Sequence, residues 1–219
     1  MSQQPSTTQM SRSAGIAGMG FAVLTVIGFI TAGGPNYNES DQTWMAWFQD
    51  SSHRGAQIAG MFLVLAAVLL LIVFFATLRR RAVAAGGSAQ ASALAGAAGA
   101  MLATTIAVGT VIHNEVSAAV QFAPNNFPVP GADVLRTLDN LGFGVGVVAA
   151  GFAAALFVAS LAHTLRGTAI VPGWLVTAGY VVGVLLLFSF TFFPLFLLPL
   201  WVLVVGIAVV ARAGRRLGA

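Results

Sequence analysis

Thr110, His113, Asn114 and Ser117 follow one another at intervals of three, one and three residues. On a helix that spacing puts them along one face. The set offers an imidazole, an amide and two hydroxyls, while Glu115 points elsewhere on the same turn. Two other short stretches carry related chemistry, His53-Arg54 and Asp139-Asn140. If the three stretches converge, they make a polar cluster with both charge signs and two imidazoles. The expected site is a ligand-binding one built from His113, Asn114, Glu115, Ser117, Asp139, Asn140, His53 and Arg54. No catalytic residue and no metal ligand is assigned. With the loops folded back, Asp41, His53, His113, Glu115 and Asp139 could instead supply ligands for a metal-assisted hydrolysis. The plainer expectation is local pairing, Asp50 with Arg54 four apart and Arg136 with Asp139 three apart.

Other chemistries find little support. The chain has no cysteine, which removes disulfides, thiolate metal sites and cysteine nucleophiles. It has no P-loop, no dinucleotide-binding glycine motif, no His-Glu-x-x-His and no nucleophile elbow. Haem would need axial ligands at similar depth, which only His53 and His113 offer, at the edge of a membrane. No cofactor is identified. The net charge of +4 comes from arginines at the ends of apolar runs. A nucleic-acid partner would need a clustered basic face in polar context, and none is expected.

The elements that must position these residues follow from composition. The chain is 58% hydrophobic and 7% charged, with mean hydropathy +0.90. Soluble domains carry roughly a quarter charged residues, so an all-α polytopic transmembrane bundle is predicted. Arg79-Arg80-Arg81 is its reference point, between the apolar runs Gly55–Leu78 and Ser88–Ile112. About 20 apolar residues in a helix match a hydrocarbon core of about 30 Å.

Six spans are expected, at about 14–33, 55–78, 89–113, 138–163, 172–193 and 197–212. A disordered tail at 1–13 and a basic tail at 213–219 flank them, with both termini cytoplasmic. The first run is read as a retained span, not a cleaved signal. Glu39-Ser40-Asp41 should cap a short amphipathic helix carrying Trp44, Trp47 and Phe48 along the membrane surface, with a substrate-binding aromatic patch as the rival reading. The third span, with Ala95 to Ala100 all Ala or Gly, is expected at the centre of the bundle. Pro124-Asn125-Asn126 and Pro128 to Gly131 should break regular structure. From Pro172 to Arg212 there is no charge before Arg212. This run is read as a hairpin with an apolar turn at Pro194–Pro199, in preference to one long kinked helix.

The charges fit this threading. Arg12, Arg79, Arg80, Arg81, Arg166, Arg212, Arg215 and Arg216 fall on the cytoplasmic side, with Arg54 and Arg136 outside. All six acids (Glu39, Asp41, Asp50, Glu115, Asp133, Asp139) fall outside.

The order of elements resembles a group of bacterial six-span membrane proteins filed as domains of unknown function. The residues that carry the resemblance are His53-Arg54-Gly55, Arg79 to Arg81, Pro172-Gly173-Trp174-Leu175 and Phe192-Phe193-Pro194-Leu195. It covers nearly the whole chain and implies a fold, with no catalytic residues and no activity attached.

The expected function is that of a multi-pass protein of the plasma membrane without enzymatic activity. Its role would be accessory, small-molecule-binding or minor transport. Its partners would be the lipid bilayer and either another membrane protein or a second copy of itself. The alternative is a membrane-embedded enzyme, such as a metal-assisted hydrolase, working around His113. Ion-coupled transport fits poorly, because span centres hold only small hydroxyls such as Thr104, Thr105, Ser160, Thr177 and Ser189.

Overall fold

The computed structural model describes residues 7–123 and 127–215. Its elements are α1 (Thr7–Thr31), α2 (Asp41–Gln49), α3 (Ser51–Ala84), α4 (Ala89–Phe122), α5 (Ala132–Phe143), α6 (Ala150–Leu165), α7 (Gly173–Leu186) and α8 (Leu197–Arg215). A π-helical segment, Gly144–Ala149, joins α5 to α6 without a break. There is no strand among the described residues. Five helices are long and apolar enough to cross a bilayer, the α5–π–α6 rod counting as one. α7, with 14 residues, is shorter. At about 21 Å it falls below the thickness of a hydrocarbon core.

The helices run up and down. α1 packs against α3 and α8, α3 against α4, α4 against α6, and α6 against α7. Glycines set the close approaches. Gly18 faces Phe74, Gly60 faces Ala32, Gly99 faces Phe75 and Phe157, and Gly179 faces Ala162 and Trp201. The expected small-xxx-small pair of α7 is used as expected, with Gly183 against Ala155 and Ala159 of α6.

The centre of the bundle is the fourth span and not the third. In the Ala132–Leu165 rod 67% of the most apolar window is buried, against 44% in each other long helix. Its core face carries Ala150, Ala153, Ala154, Phe157, Val158, Leu161 and Leu165. α4 is small-residued on the faces it packs, but Leu94, Met101 and Val108, seven apart, form an exposed apolar stripe. Small residues mark a close contact, and one side of a helix suffices for that.

Boundaries moved outward. α1 starts at Thr7, inside the stretch expected to be a tail, and α8 runs to Arg215; residues 1–6 and 216–219 lie outside the described residues. Arg79, Arg80 and Arg81 sit in the last turns of α3, which continues to Ala84. The chain reverses at Gly86, whose φ of +89° suits glycine. At the other end α3 and α4 extend past the expected spans to Ser51 and Phe122. Each has 34 residues, about 51 Å. The break at Pro124 to Asn126 lies outside the described residues; Phe127 to Gly131 is non-helical as expected.

The hairpin is real, and one long helix is excluded. Its turn comes earlier, through two short 3-10 pieces at Ser189–Thr191 and Phe193–Phe196, while Pro199 lies inside α8. Phe192 between them has φ +71° and ψ −53°, a strained conformation for a residue with a side chain. Its ring packs edge-on to Phe196 and tilted against Phe143 of the central rod. The tip of the hairpin therefore reaches the level of Phe143. α3, α4 and α5 continue beyond it and carry the polar residues.

Candidate functional site

The long ends of α3, α4 and α5 meet under α2. Ser40 caps α2, its hydroxyl accepting from the Thr43 N–H at 3.2 Å. The aromatic face of α2 does not lie free on a membrane surface. Trp44 and Phe48 are 1% and 5% exposed, in a small core with Val116 of α4 and Ala132 and Leu135 of α5. Each such side chain contributes about 1.5–3 kcal/mol when buried, enough to dock a nine-residue helix.

An arginine holds each end of this cap. Arg54 of α3 donates through Nη1 to the carbonyls of Phe48 and Gln49, both at 2.7 Å. Its Nε reaches Gln121 Oε1 of α4 at 3.2 Å. The guanidinium thus satisfies carbonyls that the end of α2 leaves open. Arg136 of α5 reaches Asp41 Oδ1 at 2.7 Å and the Glu39 carbonyl at 2.7 Å. It also lies over the Trp44 ring, 5.5 Å from its centroid.

Neither expected local pair forms. Asp50 is occupied as the N-cap of α3, accepting from the Ser52 N–H at 2.8 Å and its hydroxyl at 2.7 Å. Those bonds hold its carboxyl below the usual range. Asp139 turns to His113 instead of Arg136: Nδ1 and Oδ1 stand 2.9 Å apart. This is the expected contact between the end of the third span and the start of the fourth. Gly142 makes it possible, because a Cβ there would meet the His113 backbone and Cβ at 2.7–2.8 Å. One turn deeper, the Gly109 and Gly146 backbones touch. The Ala32 backbone, after α1, also lies within reach of the imidazole.

The remaining expected residues part company. Ser117 is fully buried and donates to Gln57 Oε1 of α3, which is 1% exposed. Asn114 is 1% exposed. Its Nδ2 donates to the Thr110 carbonyl at 2.7 Å, and its Oδ1 is buried with no hydrogen-bond partner. Glu115 and Asn140 are exposed. His53 is exposed too, stacked on Trp47 at 4.8 Å and 3.9 Å from Asp50. The structure therefore joins His113 with Asp139, ties Arg54 to the end of α2 and stacks His53 on Trp47 of α2, while Glu115 and Asn140 are exposed. Among the described residues no three His, Asp or Glu side chains converge in a way that could hold a metal.

Gln57 and Gln121 were missed as parts of this end, and Arg136, expected here, takes Asp41 and the Glu39 carbonyl as partners in place of Asp139. Gln57 had a signal: it is the one amide in the apolar run from Gly55 to Leu78.

Comparison with protein-family models, curated proteins and solved structures finds no match, so the functional reading rests on this geometry.

Proposed function

We propose that this is a multi-pass protein of the plasma membrane that works by binding a small polar ligand at its capped end, without catalysis. The observation that carries the reading is the buried, unpartnered Asn114 Oδ1, one residue from the His113–Asp139 pair. An orphan buried acceptor costs about 1–3 kcal/mol. A ligand donating an N–H or O–H there would remove that cost. The arginine-rich end faces the cytoplasm, by the positive-inside rule, and both termini lie on that side. The α7–α8 hairpin completes a six-span count. An accessory role beside another membrane protein, or beside a second copy, is compatible with the same site.

Native mass spectrometry of the detergent-purified protein tests the binding reading. Wild type should carry a small-molecule adduct that Asn114→Leu loses. Wild type and variant both free of adduct, with the variant the more stable, would show the orphan acceptor to be a plain cost. Cysteines at Ser51 and Gly87 test the orientation: only the first should react with an impermeant thiol reagent in intact cells.

One observation favours an enzyme instead. A histidine oriented by a carboxylate at 2.9 Å has the geometry of a general base. Turnover of a hydrolysable substrate that His113→Ala loses while the fold is retained would favour an enzyme over a binder.

A further inference from the structure

We infer that the end of the molecule opposite the cap binds the phosphate headgroups of anionic lipids in the leaflet it faces. The inference rests on the membrane-spanning reading but not on its orientation. Arg12, Arg79, Arg80, Arg81, Arg166 and Arg212 lie at this end, Arg215 closes α8, and Arg216 follows in the sequence. All six Asp and Glu side chains of the chain lie at the other end or in its loops. Among the described residues no carboxylate pairs with Arg80 or Arg166.

The structure shows how several of these side chains are held. Arg79 donates through Nη1 to the Ser92 carbonyl at 3.1 Å, and its Nη1 end abuts Gly96, where a Cβ would displace it. Its Nε is buried and lacks a partner. Arg212 reaches the Ala169 carbonyl at 2.9 Å, tying α8 to the loop after α6. Among the described residues Arg80 donates only to the Ala76 carbonyl of its own helix, and it is exposed, as is Arg166. The α3–α4 turn lies against the end of α6, where Gly87 abuts the Thr164 carbonyl. That contact brings the end of α3, with Arg79 to Arg81, to the same corner as Arg166. Carbonyl bonds orient a guanidinium without cancelling its charge.

What lies beside these groups names the partner. The rim beside them is apolar and exposed: Leu94 and Trp174 are 45% and 61% exposed, and Val83, which follows the arginines in α3, is 37% exposed. A tryptophan so placed marks the headgroup level of a bilayer. Guanidinium forks at that level meet lipid phosphates, with which they form paired, charge-assisted hydrogen bonds. A freely dissolved phosphate would meet the same groups without the apolar rim, so the lipid is the favoured source.

The test is thermal unfolding of the full chain in a zwitterionic detergent. Phosphatidylglycerol, phosphatidylcholine or inorganic phosphate is added. Phosphatidylglycerol should raise Tm by about 3–5 °C for each tenfold rise above its dissociation constant. Phosphatidylcholine and inorganic phosphate should not. Arg80→Gln with Arg166→Gln should lose most of the shift, and Arg80→Lys with Arg166→Lys should keep part of it. Equal shifts from both lipids, an equal shift from inorganic phosphate, or an undiminished shift in the glutamine variant would overturn the inference. Should the glutamine variant fail to fold, the lipid comparison on wild type still decides. Alkaline carbonate extraction keeps the two readings apart: release from membranes would sink the membrane reading itself. Retention with no lipid preference would sink only this inference.

Discussion

Gly109 of α4 and Gly146 of the π segment cross with their backbones in contact, and the two positions are not equivalent. A Cβ at Gly109 would run into the Gly146 N and Cα, whereas one at Gly146 would stand 3.3 Å from Gly109 Cα. Gly109→Ala should therefore destabilise by about 1–3 kcal/mol. Gly146→Ala should cost distinctly less, because a few tenths of an ångström relieves it. Thermal unfolding of the two variants in detergent checks this, and equal losses would contradict the crossing geometry.

Ser117→Ala should cost about 1–3 kcal/mol, because it strands the buried Gln57 Oε1. Adding Gln57→Leu should recover most of the loss, since both partners are then apolar. A double variant less stable than Ser117→Ala alone would mean that Gln57 makes other indispensable contacts.

The cap should come off before the bundle does. Arg136→Gln removes the bonds to Asp41 and the Glu39 carbonyl, and Arg54→Gln removes those to the end of α2. Bonds to a charged group are worth about 1.5–3 kcal/mol when buried; exposure of Asp41 reduces the first to about 1 kcal/mol. Each variant should speed amide exchange in α2 roughly fivefold or more, with exchange in α6 unchanged. Simultaneous acceleration in both helices would show that the cap and bundle unfold together.

His113 and Asp139 should behave as a coupled pair. A double-mutant cycle with His113→Gln and Asp139→Asn should give an interaction energy of about 0.5–3 kcal/mol in favour of the native pair. Additive losses would mean that the 2.9 Å contact contributes nothing to stability.

The helices were legible because apolar runs of this length have few alternatives. The meeting of His113 with Asp139 was legible for a related reason: two helices that start level at one surface end level at the other. What could not be read was which arginine goes where. Asp50 and Arg54 have pairing spacing, but a residue before a helix serves the helix's free N–H groups first, and the long Arg54 side chain reaches carbonyls elsewhere. The side on which α4 is crowded was equally hidden. Its alanines and glycines face several ways, and only the partner's surface decides which face is used. The docking of Trp44 was misread because an aromatic at a span boundary suits lipid headgroups and a protein groove alike.

The cap has a mechanical consequence. Arg54 belongs to α3 and Arg136 to α5, and α2 lies between them like a tie-bar fastened at both ends. The outer ends of those two helices cannot spread unless one fastening breaks. Any breathing that leaves the cap docked must pivot about this end. At the far end of the same rods the hold is of another kind: the turn at Gly86 packs Gly87 against the Thr164 carbonyl, a contact without the directional grip of a guanidinium.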